Sequence, residues 1–316
     1  MTTDLPPSSP AKERVIIAIC TYNRNGPLAD LLDALLGIAE ATAARADIGV
    51  VVVDDNADRK AEPVVVGYEG RFALGIHYRV SGRQNISLAR NLAVGTAAEL
   101  GDWVAMTDDD CIPVQDWLNL YLDMAARTGA DAVTGPCVLR VPPGSPSWVS
   151  DEPFLEDAQL RYEDGLEMHL AATNNSMLSA SWWRSHPDVR FDEALGVVGG
   201  EDMVFYRTAV KAGLRVRFVA GAIVHGEEPS SRATMKYQLR SRFWLGNTEF
   251  VTNDVLGDAT RGRQALRAGN QLRKAIQRPI ARAVHGESPQ MRYCLASVLK
   301  ACGLMSGVLG LRVRHH

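Results

Sequence analysis

The chain has 316 residues, 46% of them hydrophobic, and a formal net charge of -3. That composition excludes a disordered or fibrous protein and leaves a core large enough for one α/β domain or two closely joined ones. Met1 to Arg14 is polar and rich in proline and serine, and the apolar run after it is only a strand's length. No secretory signal is read there, and residues 1–13 are expected to form a disordered arm.

Val15 to Ile19 reads as a first buried strand, left by a loop from Thr21 to Gly26. Pro27 then opens an amphipathic helix with Leu28, Leu31, Leu32, Leu35 and Leu36 at helical spacing. A second strand, Ile48 to Val53, runs into Asp54, Asp55 and Asn56. A third spans Leu74 to Val80, and Asn85 or Ser87 caps a helix running to Leu100. Trp103 to Thr107 is a short apolar strand ending in Asp108, Asp109 and Asp110, and Pro113 reads as the first turn of the next helix. Carboxylates so closely packed repel one another unless a cation or a donor-rich ligand compensates. Read alone, the triplet is either a helix cap with its neighbours in water or a metal site.

This β-α-β-β-α-β rhythm predicts an α/β fold with a mostly parallel, doubly wound sheet. A dinucleotide-binding domain shares the rhythm but needs a Gly-x-Gly-x-x-Gly turn after its first strand, where this chain has Thr21, Tyr22, Asn23 and Arg24. Acids at the ends of the second and fourth strands replace the glycine-rich cradle. Nucleotide recognition through polar and acidic groups, with a metal holding the phosphates, accounts for both clusters.

Asp131 to Arg140 reads as a further strand, followed by a proline-rich loop from Pro142 to Pro153. In that loop Trp148 is either a hydrophobic anchor or a platform for a sugar face. Ala171 to Ser179 alternates weakly and carries Asn174 and Asn175, and the pair Trp182 and Trp183 reads as packing. Gly199 and Gly200 directly precede Glu201 and Asp202 at the start of a helix to Ala212, which allows close backbone approach to a ligand. Val216 to Val219 is a strand. Ile223 to Pro229 is a loop holding His225, a candidate metal ligand. A helix from Ser231 to Val251 carries Arg232, Lys236 and Arg240 as a basic stripe, suited to a diphosphate, beside Met235, Leu239 and Phe243.

From Thr260 to His316 there are eleven Lys/Arg and one acid, so the tail carries about ten positive charges and the body about thirteen negative ones. Such polarity predicts that the tail meets something anionic: a membrane surface, the body of its own chain, or a neighbouring subunit. Lys300 splits the run from Tyr293 to Leu311, so no spanning helix is expected. The spacing of Leu, Val and Met suits a membrane face through residues 290–312 or an oligomer contact better than nucleic acid. Five scattered cysteines, Cys20, Cys111, Cys137, Cys294 and Cys302, show no metal-ligand spacing and suit thiols in a reducing compartment.

The order of the motifs resembles an inverting family 2 glycosyltransferase of the GT-A fold. The matching pieces are Ile19 to Arg24, Val51 to Asn56, Ser87 to Asn91, Thr107 to Asp110 and Gly199 to Asp202. Gly200 to Asp202 together with Pro229 to Arg232 resembles the bacterial succinoglycan-type glucosyltransferase subgroup. The likeness covers residues 14–250 and leaves the tail outside. It implies a Rossmann-like sheet with helices on both faces, a nucleotide-sugar-binding half over residues 14–110 and an acceptor-binding half over 111–259 of the same domain; the basic residues 260–316 are expected to form a separate helical tail.

The resemblance also implies roles. Asp55 binds the nucleobase, with Thr21 and Tyr22 lining it and Arg90 near it. Asp108 and Asp110 match the Asp-x-Asp motif, Asp110 as direct ligand of Mn2+ or Mg2+ with help from Asp108, and Asp109 lies toward the ribose or donor sugar. Asp202 is the catalytic base, and His225 falls where some members place another metal ligand. Arg24 and Arg232 join the donor-binding set. The activity so implied moves a sugar from a nucleoside-diphosphate sugar, with a leaning to UDP, to a glycan, lipid-linked or small-molecule acceptor. The location expected is the cytoplasm, with peripheral contact at the inner face of the cell membrane. A sugar nucleotidyltransferase would need a Gly-rich basic loop at Thr21 to Gly26, and a catalytically inactive relative would not be expected to keep both Asp110 and Asp202.

Overall fold

The computed structural model describes residues 12–141, 143–154, 158–227 and 229–313. Of the arm expected over residues 1–13, residues 1–11 lie outside these, and Glu13 already belongs to the first strand. Near-continuous apolar runs make strands covered on both faces. β1 (Glu13–Thr21) and β2 (Ala46–Asp54) are of this kind, with Val15 to Ile19 and Val50 to Val53 buried. Between them α1 (Asn25–Thr42) lays Leu28, Leu31, Leu32, Leu35 and Ile38 against the sheet. Pro27 falls in its first turn, where an N–H has no intrahelical partner to lose. α2 (Glu62–Val66), a short helix absent from the sequence reading, precedes β3 (Ile76–Val80). α3 (Ile86–Leu100) is capped by Asn85, which accepts from the Leu88 N–H at 3.2 Å, and leads to β4 (Trp103–Thr107).

After β4 the chain departs from expectation. Pro113 opens no helix: β5 (Cys111–Pro113) is a short strand and α4 (Trp117–Thr128) starts four residues beyond the proline. Proline is tolerated there because β5 is an edge strand. The run read as one strand from Asp131 to Arg140 is broken at Gly135 and Pro136 into β6 (Ala132–Thr134) and β7 (Cys137–Arg140), which join different sheets. The proline-rich stretch contains one helical turn, α5 (Trp148–Asp151), and Trp148 packs edge-on against Phe154 at 5.0 Å between ring centroids, as an anchor. β8 (Glu167–Met168), β9 (Asn175–Ser179), α6 (Ala180–Ser185), α7 (Glu201–Lys211) and β10 (Val216–Phe218) follow. The segment expected as a loop around His225 is β11 (Val224–Glu227).

The main sheet runs β3-β2-β1-β4-β9-β6-β10-β8. β3, β2, β1 and β4 are parallel neighbours, while β9 is antiparallel to both β4 and β6 and so joins the two halves of the chain in one sheet. Thr21 pairs with Asp54, and Ala18 with Met106, so β1, β2 and β4 end at one edge. Beside that edge lies a second sheet, β5-β11-β7, in which His225 stands opposite Ile112 and Val138.

α8 (Met235–Val255) starts after its cap Thr234, four residues later than the sequence reading, and α9 (Arg261–Val284) and α10 (Met291–Val308) complete the chain. α10 crosses α8 at very close range. A Cβ on Gly246 would meet the Lys300 carbonyl oxygen at 1.9 Å, and one on Gly303 the Phe243 carbonyl oxygen at 1.9 Å. Part of the tail's charge is spent on the chain's own body: Arg267 and Lys300 pair with Glu249 at 2.8 and 3.3 Å, and Arg292 with Glu152 at 3.2 Å. Among the described residues no helix is long and apolar enough to cross a membrane.

Candidate active site

The acids at the strand ends divide by where they point. Side chains alternate along an extended backbone, and the triplet follows suit: Asp109 is only 3% exposed, while Asp108 and Asp110 are half-buried at the cleft. Thr21 Oγ1 donates to Asp109 Oδ2 at 2.7 Å and Arg24 Nη1 donates to Oδ1 at 3.1 Å. Arg24 also pairs with Asp110. Burial, partly offset by Thr21 and Arg24, pushes the Asp109 carboxyl up to about 6. Asp109, expected toward the ribose, has both oxygens engaged inside the protein, where it braces the end of β4 against the loop after β1. The same geometry turns Thr21 toward Asp109, whereas Tyr22 is exposed, with its hydroxyl accepting from Gln84 Nε2 at 2.9 Å.

The two acids after β2 divide in the same way. Asp54 is wholly buried and accepts from the backbone N–H of Asn56 and Ala61 at 2.9 and 2.8 Å and from the Tyr78 hydroxyl at 2.8 Å. Asp55 accepts from the Ser81 hydroxyl at 2.7 Å and the Arg83 N–H at 3.0 Å, both on Oδ1, which leaves Oδ2 without a hydrogen bond among the described residues. Asp54 folds the loop and Asp55 presents a free oxygen. Ser81 and the Arg83 amide were not legible in the sequence, because neither sits in a periodic segment.

Arg90 projects from the first turns of α3 and pairs with Glu201 and with Asp108, the latter at 3.5 Å. Its partners are the acids of the cleft, and Glu201 is a site residue the sequence reading left without a partner. Burial, followed by the like charges of Asp110 and Asp202, raises Asp108, with Arg90 opposing. Asp202 begins α7. Burial and then the neighbouring Glu201 raise it, while Arg90 and the Met203 amide favour its ionised form. Glu201, Asp108 and Asp202 thus surround the buried Arg90, while Asp110, next to Asp108, is held by Arg24. Of the two glycines before Glu201 and Asp202, Gly200 is required by packing within the chain. Gly200 has φ of +89°, and a Cβ there would meet Thr252 Oγ1 at 2.7 Å and Thr248 Cγ2 at 2.8 Å, so the close approach is to α8.

His225 lies on β11, whose Glu227 N–H donates to the Asp110 carbonyl at 3.4 Å. Its Nδ1 is buried without a hydrogen-bond partner, and burial followed by Arg140 holds the imidazole below its usual range, hence neutral. Carboxylate oxygens with one neutral imidazole form a donor set that fits Mn2+ or Mg2+. As the side chains stand, Asp110 is turned onto Arg24, and no three His, Cys, Asp or Glu donors converge among the described residues. Arg232 is not on the helix with Lys236 and Arg240, as the sequence suggested. It lies in the turn before α8, 5.7 Å from the Tyr237 ring centroid, because Thr234 caps the helix after it.

Residues 16–184 match the family described as glycosyl transferase family 2. The chain is 31% identical over 308 residues to the succinoglycan biosynthesis protein ExoM of Rhizobium meliloti (strain 1021), covering 94% of this chain and 93% of that protein. Among solved structures it is similar to S. aureus TarS 1-349 in complex with UDP-GlcNAc, with a TM-score of 0.54 and 14% identity over 94% of this chain and 92% of that one. It is also similar to the mannosyltransferase PcManGT from Pyrobaculum calidifontis in complex with GDP-Man and Mn2+, with a TM-score of 0.56 and 16% identity over 95% and 76% of the two chains.

Proposed function

Because the chain belongs to glycosyl transferase family 2, we propose that it transfers a sugar, with inversion, from a UDP-linked donor to a hydroxyl of a growing glycan. The observation that carries this reading is the arrangement around Arg90, which brings Asp202 and Glu201 at the start of α7 together with Asp108 at the end of β4, Asp110 following on Arg24. A base on one side and a diphosphate-binding group on the other are what a single displacement at an anomeric carbon needs. The UDP preference draws on the TarS complex, and the glycan acceptor on the succinoglycan relative.

In this account the free Oδ2 of Asp55 accepts an N–H of the nucleobase, and Tyr22 lines the ring beside it. Thr21 and Arg24 keep Asp109 in place, so the loop after β1 and the end of β4 hold one spacing. Asp108, Asp110 and His225 would hold Mn2+ or Mg2+, which when bound supplies positive charge to the departing diphosphate. Arg232, in the turn before α8, would add a further cation for the diphosphate. Asp202 takes the proton of the acceptor hydroxyl as the bond to the leaving oxygen stretches. Its burial and Glu201 make it a stronger base than an ordinary carboxylate, while Arg90 keeps it ionised. One displacement inverts the anomeric centre. Proton NMR of the product from an α-linked UDP-sugar, with Mn2+ present, reads the outcome directly: a β-glycoside is expected, and an α-glycoside overturns the single-displacement reading.

A further inference from the structure

The tail's charge is only partly neutralised by the body, and the remainder lies beside an uncovered apolar stripe. Gln264, Ala268 and Ala275 turn one face of α9 inward, and Arg267 and Arg282 on the flank of that face pair with Glu249 and Glu287 at 2.8 and 3.0 Å. On the opposite flank Leu272, Ile276 and Ile280 recur every four residues, with Val284 extending the line, and their exposure runs from 38% to 78%. Helices of soluble proteins bury such a stripe. Arg261, Arg263, Arg273 and Lys274 border it, all exposed and without an ion pair among the described residues. α10, which the sequence suggested as the docking helix, buries Cys294, Ala296, Ala301 and Leu304 and leaves Met291 and Leu295 exposed, a smaller apolar surface than that of α9.

We propose that the outer face of α9 is a docking surface for an anionic lipid bilayer. An apolar stripe edged by unpaired cations suits the boundary of headgroups and acyl chains, where the aliphatic groups enter the hydrocarbon and the cations meet phosphate. A second copy of the chain is a poorer occupant, because a two-fold contact across this stripe brings Arg273 and Lys274 of both copies together without acids to meet them. On the inner flank of α9, Arg278 and Arg282 line a groove of about 560 Å3 with Leu139, Val141 and Val149, at the end of β7, the strand beside β11.

The surface does not depend on the glycosyltransferase reading and is tested apart from it. The full chain is sedimented with vesicles of phosphatidylcholine containing about a third phosphatidylserine, and with phosphatidylcholine alone. Binding to the anionic vesicles, weakened by salt, is expected. Ile276→Glu with Ile280→Glu should weaken it at least about tenfold, as should Arg273→Gln with Lys274→Gln. Melting temperatures and transfer to a soluble acceptor should stay at the parent level in both double variants. Absence of binding to the anionic vesicles, or binding that survives Ile276→Glu with Ile280→Glu, overturns the proposal. So does a dimer in light scattering that the same pair of substitutions dissolves, because the stripe is then a contact between copies.

Discussion

Arg90→Met removes the cation on which Glu201, Asp108 and Asp202 converge while keeping a side chain of similar length. The Arg90 side chain is 12% exposed and that of its partner Glu201 9%. Taking away one member of so buried a pair leaves an uncompensated carboxylate, at a cost of about 3–5 kcal/mol. At about 2 °C per kcal/mol for a chain of this size, scanning calorimetry should show a melting temperature about 6–10 °C lower. Removing Glu201 as well, in Arg90→Met with Glu201→Gln, should recover much of that loss, because the stranded charge is then gone. The kinetic consequence has a definite sign. Arg90 favours the ionised form of Asp202 against burial and Glu201, so without Arg90 the carboxyl rises further. The acid limb of kcat/KM, below which the base is protonated, then moves to higher pH, whereas Glu201→Gln alone moves it to lower pH. An Arg90→Met protein that melts within about 1 °C of the parent and keeps its acid limb would refute the reasoning.

Two further outcomes follow from packing and charge away from the cleft. Asp258 clamps the end of α8 to α7 by accepting from Lys211 Nζ at 2.6 Å and pairing with Arg207, and these, the Lys211 hydrogen bond first, hold its carboxyl below the usual carboxylate range. A depressed native value adds stability above the unfolded value of about 3.9, and this is lost as pH falls through the native one. Asp258→Asn should therefore lower the melting temperature at neutral pH and match the parent near pH 2; an equal deficit at both ends would contradict the assignment. At the α8–α10 crossing, Gly303→Val puts side-chain atoms where the Phe243 carbonyl stands and should cost about 1–3 kcal/mol or more. Hydrogen exchange should rise selectively in α10, and unchanged protection there would show that the crossing tolerates bulk.

Local signals carried the N-terminal part of the sheet well. The apolar run from Trp103 to Thr107 is β4 at those bounds, Asn85 caps α3, and the leucine spacing of α1 is the face it buries. Sequence reasoning failed where long-range pairing outweighs propensity. Gly226 and Pro229 make the segment around His225 look like a loop, yet it pairs on both sides between β5 and β7. Pro113 mimics a helix start but sits in an edge strand, where a missing N–H costs nothing in pairing. The break at Gly135 and Pro136 was visible as chemistry, though nothing local says that the two pieces enter different sheets.

The candidate site shows the same division. Acids at strand ends can be listed from the sequence, but which of them face the cleft depends on partners far along the chain. Asp109 is occupied by Thr21 and Arg24, 88 and 85 residues away, and Arg90 finds Glu201 at a separation of 111. Gly199 and Gly200 pointed toward a ligand only because the threonines of α8 that crowd Gly200 are about 50 residues downstream.

The central claim, that Asp202 takes the acceptor proton, is tested most directly by Asp202→Asn, an exchange that keeps shape and removes the base. With Mn2+ and saturating donor, turnover should fall by about 10²–10⁴-fold, the range for a positioned general base, while the Kd of UDP-sugar by calorimetry stays within about twofold of the parent. Turnover at the parent rate would contradict the account, and so would a loss wholly explained by weaker donor binding.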